Sequence, residues 1–387
     1  MSIVGMVADV HISNYRRVGG IMTAGLNERC RMVLDVLRRT CQAAFEQGCS
    51  KLYILGDLYE SATIGPRVIA ATQDVLLEAR SNGLEVVIST GNHDAITGDP
   101  GDHALGPLRH IAKIVDRPLI DKLGDLEVVV LPFYDGPASV WLRKQLSEVQ
   151  REDAGLDEQL SNSASDDRSP PRVLALHLGI AHDGTPAFLQ DECSLRLQTL
   201  QGLLTEFGYD GLFAGHWHDF IQLNTPNAFF VQLGALVPTG WDNPGVRNRG
   251  MLAVYSTNGG NTNLKYVSIP GPRFLQIKGL AGFETLKASV LEAAGSKLFV
   301  DWLIAPDDLN DAKEDLMIFK NRSLIHYGEV SLDMSQVTEI AREAATAARS
   351  EKTLAEALDA YVQKMPMPQD VQRARILQLA RKMVGLS

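Results

Sequence analysis

Eight side chains able to do chemistry stand where apolar runs end: Asp9, His11, Asp57, Asn92, His93, His177, His216 and His218. Carboxylate, imidazole and amide are the donors that borderline-hard divalent ions take, and no cysteine adjoins any of these positions. That set suits Mn²⁺, Fe or Zn and not copper. A pair of such ions about 3.5–4 Å apart needs carboxylate, nitrogen and oxygen ligands, with open positions left for water and a phosphate. Taken singly the motifs say little. Asn, Asp and Gly are ordinary turn residues, so the run Gly91-Asn-His-Asp94 alone is only a turn. A lone histidine on an apolar strand is most often a hydrogen-bonded core residue. The weight lies in repetition, because the same event, an apolar strand delivering Asp or His, happens five times along the chain.

The elements that must position these groups follow from the pattern. Ile3 to Ala8 is apolar and leads into Asp9-Val-His11, whose two functional side chains point the same way if the strand persists. A polar loop, Ser13 to Gly25, precedes a long amphipathic helix from Asn27 to Gln47. Its inner stripe is Met32, Val33, Val36, Leu37, Cys41, Ala44 and Phe45, and Gly48 ends it. Lys51 to Leu55 is a second strand that runs into Gly56-Asp57. Pro66 to Ser81 is a second helix with proline near its start, and Val86 to Ser89 a third strand that ends in GNHD. This β-α-β-α-β order defines a layered α/β domain whose ligand site lies beyond the carboxyl ends of its strands. Further strands are expected at Leu126–Leu131, Val173–Leu176, Leu212–Ala214, Phe229–Leu233, Met251–Tyr255 and Leu264–Ile269. Helices are expected at Pro137–Gln150 and around Ser194–Phe207. The acidic, Ser-rich stretch from Glu152 to Pro171 holds too little apolar surface to offset the entropy of ordering, and reads as a disordered insertion.

Ile269-Pro-Gly-Pro-Arg-Phe274 reads as a domain junction. Beyond it, residues 270–334 suggest a small α/β cap with a strand at Phe274–Ile277, a helix near Phe283–Ala294 and a strand at Leu298–Ile304. Residues 335–387 read as a helical hairpin broken by Met365-Pro-Met-Pro368. Its apolar stripe includes Leu354, Leu358 and Tyr361 on the first helix and Ile376 and Met383 on the second, a face able to receive a partner helix.

A chain of 387 residues exceeds one ordinary core and implies two or three domains. No run of 18 apolar residues suggests a membrane span, and the opening MSIVGMVADV lacks a charged leader, so a cytoplasmic protein is expected. The four cysteines form no C-x-x-C pair and fit buried thiols in a reducing compartment. The formal charge of −10 argues against a nucleic-acid partner. Between Glu148 and Asp167, however, there are seven acids and one base, so the remainder carries about −4. Two bound divalent ions would add positive charge where a phosphate docks.

In this order, the motifs D-x-H (Asp9, His11), GD (Gly56, Asp57), GNHD (Gly91 to Asp94), H (His177) and GHxH (Gly215 to His218) resemble those of the calcineurin-like metallophosphoesterases. The resemblance spans residues 1–269 and implies a four-layer α/β/β/α sandwich. It also implies a role for each group. Asp9, His11, Asp57 and His218 would hold one metal; Asp57, Asn92, His177 and His216 the other, with Asp57 bridging. His93 would contact the scissile phosphate and protonate the leaving oxygen, oriented by Asp94.

Three features are similar to the SbcD-type DNA-repair nucleases: the loop and GDLYE text around Asp57, the Pro-Arg-Phe junction before a cap, and the helical C-terminus. That likeness implies a Mn²⁺-dependent 3′→5′ exonuclease with single-strand endonuclease activity, bacterial or phage-derived. Its partners would be DNA, a second copy of the chain, and the coiled coil of an SMC-type (SbcC-like) ATPase docked on the C-terminal helices. Arg16 and Arg17 would meet DNA phosphates and Tyr59 the substrate. Glu60 departs from the pattern, since some relatives carry there a histidine that handles phosphate. The acidic charge favours a rival reading, a small-molecule phosphodiesterase of the same superfamily.

Overall fold

A computed structural model describes the chain except for residues 17, 100, 161–169, 184, 186–192, 242–248, 293–296, 306–307, 334–357, 360, 363–372 and 384–387. Its contacts divide into two compact units, Met1–Phe274 with Gly295–Lys297, and Leu275–Ala294 with Leu298–Ser387.

The first unit is built on two six-stranded sheets. From edge to edge, one runs Asn261–Pro270, Arg249–Asn258, Ser2–Val7, Lys51–Leu55, Glu85–Ser89 and Lys113–Val115. The other runs Ile221–Asn224, Phe229–Gln232, Gly211–Gly215, Arg172–His177, Leu126–Val130 and Leu119–Leu123. The strands that deliver functional residues are parallel to one another where they pair, as β-α-β order requires, while Ser2–Val7 is antiparallel to Arg249–Asn258 on its other side. They read as continuous apolar runs because both faces are covered. The inner faces meet through Met6, Tyr53, Val87, Val128, Val173 and Phe213. The outer face of the first sheet packs on the helices Glu28–Glu46 and Pro66–Ser81, and that of the second on Ala138–Leu160 and Leu197–Phe207. Helix, sheet, sheet and helix make the expected four layers.

The first helix shows how local sequence sets an element. The Asn27 side chain accepts the Cys30 N–H at 2.8 Å and caps it. Cys30, Val33, Leu34, Leu37, Cys41 and Ala44 then form the buried face. Phe45, expected on that face, lies 47% exposed at the end of the helix. Cys30, Cys41 and Cys49 are buried free thiols.

Several elements differ from expectation. The helix expected to stop at Gln150 continues to Leu160, well into the segment read as disordered; the rest of that segment up to Ser169 lies outside the described residues. Ser194–Arg196, expected as the opening of a helix, pairs as a short strand with Gly179–Ala181. Lys113–Val115 and Leu119–Leu123 are edge strands too short or too mixed in polarity to stand out in the sequence.

The second unit carries a three-stranded sheet of Arg273–Lys278, Leu298–Ile304 and Tyr327–Leu332. The helices Gly282–Glu292 and Leu309–Asn321 complete a separate core around Trp302, Leu286, Leu316 and Phe319. Of the C-terminal hairpin, residues 358, 359, 361 and 362 are helical, and Arg373–Met383 is a helix. Arg381 bonds Asp359 at 2.7 Å and ties the two. Leu358 and Val362 are buried within the chain, so Leu358 does not face outward for a partner as expected. Tyr361 and Ile376 are half-buried, while Leu354 and the Met383 side chain lie outside the described residues. Among the described residues, no helix is long and apolar enough to cross a membrane.

Candidate active site

All eight strand-end groups converge at the carboxyl edge of the two sheets. The loop after Ser2–Val7 lies along the loop after Lys51–Leu55: Val10 and His11 both donate N–H to the Asp57 carbonyl, at 2.9 and 3.0 Å, and Ile12 donates to that of Leu58 at 2.9 Å. A bridge between Ala8 and Ala235, just beyond the strand Phe229–Gln232 of the other sheet, closes the edge. Four of the converging residues adopt left-handed backbone, with φ of 53° at Asp9, 55° at His11, 49° at Asp57 and 87° at His216. Such conformations cost of order 1–3 kcal/mol each and persist where the surroundings over-determine them, as functional sites do. Gly91 is required by close approach, because a Cβ there would collide with the Asp57 amide nitrogen and carboxylate.

The donor atoms gather in two sets. In the first, His11 Nε2 lies 3.0 Å from His218 Nε2, 4.0 Å from Asp9 Oδ1 and 3.8 Å from Asp57 Oδ2, and His218 Nε2 lies 3.7 Å from Asp9 Oδ1. In the second, Asn92 Oδ1 lies 3.0 Å from both His177 Nε2 and His216 Nδ1, and His177 Nε2 lies 3.3 Å from Asp57 Oδ2. Ligands about 2.0–2.2 Å from a shared ion stand about 3–4 Å from one another, depending on the angle between them, so both sets of spacings fit a cation. The chemistry of the donors agrees: two imidazole nitrogens aimed at each other, that of His11 buried and that of His218 partly so, beside two buried carboxylates call for a positive charge between them. Asp57 Oδ2 belongs to both sets. Asp9–His11–His218 and Asp9–Asp57–His177 each lie within ligand range, as do His11, Asp57 and His93.

Electrostatics without a cation are strained. Burial, with the Asp57 charge added, pushes the Asp9 carboxyl up to about 7. Burial acts the same way on Asp57, but His177, His11 and His93 outweigh it and hold this carboxyl below the usual range. Burial opposes charge on His177, yet Asp57 and Asp9 lift it to about 9. Burial and neighbouring His11 push His218 down to about 3.

The surroundings hold these groups in place. Asp9 accepts the His216 N–H on both oxygens at 3.1 Å, and Asp57 Oδ1 accepts the His93 N–H at 2.9 Å. His177 Nδ1 bonds the Leu55 carbonyl at 2.8 Å, which leaves Nε2 for the ligand set. The sequence did not single out Gln232, fully buried in the strand Phe229–Gln232, whose amide reaches the Ala214 carbonyl at 3.2 Å and accepts the Ile180 N–H at 3.0 Å. A polar residue at an inward position of an apolar strand is the signal that could have found it.

Two expected roles change. His93 is oriented through Nδ1 by the backbone carbonyl of Glu60 at 2.7 Å, not by Asp94. The Asp94 carboxylate instead accepts backbone N–H groups of Leu58, Tyr59 and Gly91, at 3.3, 3.0 and 3.0 Å, and so knots the GNHD loop to the Asp57 loop. Adjacency suggested contact with His93, but successive side chains at this turn point apart. Tyr59 is fully buried in the core below the first sheet, so it is not a substrate contact; the strand-like register that puts Ile12 opposite Tyr59 turns its ring inward. Arg16 is exposed on the loop after His11, and Arg17 lies outside the described residues.

A four-layer sandwich with paired donor sets that share one aspartate defines a metal-dependent phosphoester hydrolase. The chain matches the calcineurin-like phosphoesterase family over residues 4–220, more than half its length, and belongs to that family. No curated protein matches the chain significantly by sequence. Among solved structures it is similar to a dimetal phosphatase from Danio rerio, at 14% identity over 69% of this chain and 98% of that one with a TM-score of 0.43. It is also similar to an archaeal phosphodiesterase, at 10% identity over 68% and 99% of the two chains with a TM-score of 0.32. A Staphylococcus aureus protein designated a candidate 5′-nucleotidase shares 16% identity over 69% of this chain, at a TM-score of 0.43, and this chain spans 54% of its length. These likenesses are too loose to carry a function.

Proposed function

We propose that the chain hydrolyses phosphodiester bonds of DNA with two divalent ions, Mn²⁺ the preferred metal. The observation that carries the chemistry is the pair of donor sets joined at Asp57 Oδ2, with the His93 ring 5.0 Å from that of His11. Asp9, His11, His218 and Asp57 would hold one ion, and Asp57, Asn92, His177 and His216 the other. When bound, two such ions neutralise phosphate charge and make water nucleophilic near neutral pH. The chain supplies the rest. Its buried ligands fix where the phosphate docks, and the Glu60 carbonyl holds His93 Nδ1–H so that Nε2 is left for the leaving oxygen.

The order of motifs, the Pro-Arg-Phe junction and a second unit with its own core support DNA as substrate, in 3′→5′ exonuclease and single-strand endonuclease modes. In the same reading the chain works as a homodimer in the cytoplasm with an SMC-type ATPase held at its C-terminal helices. The net charge of −10 favours a second reading, a small-molecule phosphodiesterase. Labelled single- and double-stranded DNA, assayed beside bis-nitrophenyl phosphate with Mn²⁺ and with chelator, separates the two. Cleavage of the chromogenic diester without cleavage of DNA would overturn the nuclease reading.

A further inference from the structure

In the first donor set, the far nitrogen of His11 meets a carboxylate. Its Nε2 faces Asp9, Asp57 and His218, and its Nδ1 lies 3.0 Å from Glu60 Oε2. Both atoms of that pair are shut off from water and neither makes a hydrogen bond elsewhere, so the 3.0 Å charge contact between them is what each has. The backbone explains how Glu60 arrives there. The loops after Asp9 and Asp57 run parallel with Ile12 opposite Tyr59, and Glu60 N–H donates to the Ile12 carbonyl at 3.3 Å. The residue three beyond Asp57 therefore falls beside the ring of His11. The same residue reaches the proton donor, since its carbonyl accepts from His93 Nδ1 at 2.7 Å.

We infer that Glu60 is a positioning residue that binds a metal-site imidazole through its side chain and the proton-donating imidazole through its backbone. The inference rests on the two-metal reading of the site and deepens it. A buried imidazole has two neutral tautomers, and only the one with its proton on Nδ1 offers a lone pair at Nε2 to a cation. The Glu60 carboxylate selects that tautomer, pins the ring plane and makes Nε2 more basic, as carboxylate partners of ligating histidines do. With Glu60 shortened, a buried Nδ1–H would lose its partner and the ring could turn its protonated nitrogen toward the ion. The backbone half of the arrangement survives any substitution that keeps the loop, so the two roles separate in experiment.

The full chain, stripped of metal with chelator, would be titrated with Mn²⁺ by calorimetry and elemental analysis as wild type, Glu60→Ala and Glu60→Gln. The expected result is that Glu60→Ala weakens one of the two ions by about 10–100-fold and leaves the other unchanged. Glu60→Gln should lose less, because its amide oxygen still accepts from Nδ1–H. At saturating Mn²⁺ hydrolysis of bis-nitrophenyl phosphate by Glu60→Ala should return to within a few-fold of wild type, because the His93 anchor is a backbone carbonyl. Wild-type affinity for both ions in Glu60→Ala would overturn the inference. So would a rate that stays depressed at full occupancy, which would put Glu60 in the chemistry itself, or an equal loss at both sites with a lower melting temperature of the metal-free chain. Metal binding is read without DNA, so a failed nuclease reading leaves this test intact. A wild-type chain that bound no metal would instead sink the two-metal reading.

Discussion

At the scale of single residues, Asp57 is the group on which both donor sets depend, since its Oδ2 stands within 3.8 Å of His11 Nε2 and 3.3 Å of His177 Nε2. Asp57→Ala should therefore release both ions and abolish hydrolysis together; two metals retained by elemental analysis would refute the shared role. His93 makes the contrasting case. Although it lies within ligand range of His11 and Asp57, its Nδ1 is committed to the Glu60 carbonyl. His93→Ala should keep both ions and lose about 10²–10⁴ in rate, whereas a fall in metal content would make it a ligand. Protons provide a third check. Without metal, His177 is lifted to about 9 and is charged at pH 7.5, while Asp9, at about 7, is mostly ionised. A ligating imidazole must be neutral and a ligating carboxylate ionised, so metal uptake at pH 7.5 must displace roughly one proton from His177 and a fraction from Asp9. Affinity should therefore rise with pH between about 6 and 9. Calorimetry in two buffers of different ionisation heat measures the protons released; none released would mean the apo site is already fully deprotonated.

At the scale of elements, the site is an arrangement of loops laced by backbone hydrogen bonds, and Asp94 is the principal knot. Its buried carboxylate serves three N–H groups from two loops, so Asp94→Ala would leave several donors unsatisfied. Each unsatisfied buried group costs about 1–3 kcal/mol. The melting temperature should fall in the metal-free chain as well as the loaded one, which a role confined to His93 would not produce. This knot also shows where sequence legibility stops. Strand ends were legible because a buried parallel strand is an apolar run and its last residue is marked by an abrupt Asp or His. Ser2–Val7, Lys51–Leu55, Glu85–Ser89 and Arg172–His177 all lie within a residue or two of their expected positions. What was not legible depends on contacts remote in sequence: Asp94 reaching Leu58, Glu60 reaching His11, and Gln232 reaching Ala214. Nor did local pattern reveal Leu309–Asn321 and Tyr327–Leu332, whose half-exposed faces dilute the apolar period.

At the scale of the whole molecule, the chemistry and the second unit are separable. Every group in the donor sets lies between Asp9 and His218, and all three apolar clusters of the sandwich lie within Met1–Phe274. The second unit has its own core around Trp302. Where the cut is made matters. Arg29, nearly buried, is held between the rings of Tyr15 and Phe274, 3.8 and 4.9 Å from their centroids, and Trp241 meets Phe274 edge-on at 5.5 Å. Tyr15 in turn bonds the His11 carbonyl, so this stack braces a ligand-bearing loop. A chain ending at Phe274 keeps the stack; one ending at Ile269 loses Phe274 and leaves the Arg29 charge with one ring. The longer truncation should fold, bind two ions and hydrolyse bis-nitrophenyl phosphate at nearly the full-length rate, while the shorter should bind metal more weakly and melt lower. Cleavage of long DNA by the longer truncation should drop if the second unit engages that substrate, as the nuclease reading requires. An insoluble product from the longer truncation would show instead that the second unit is needed for the sandwich to fold.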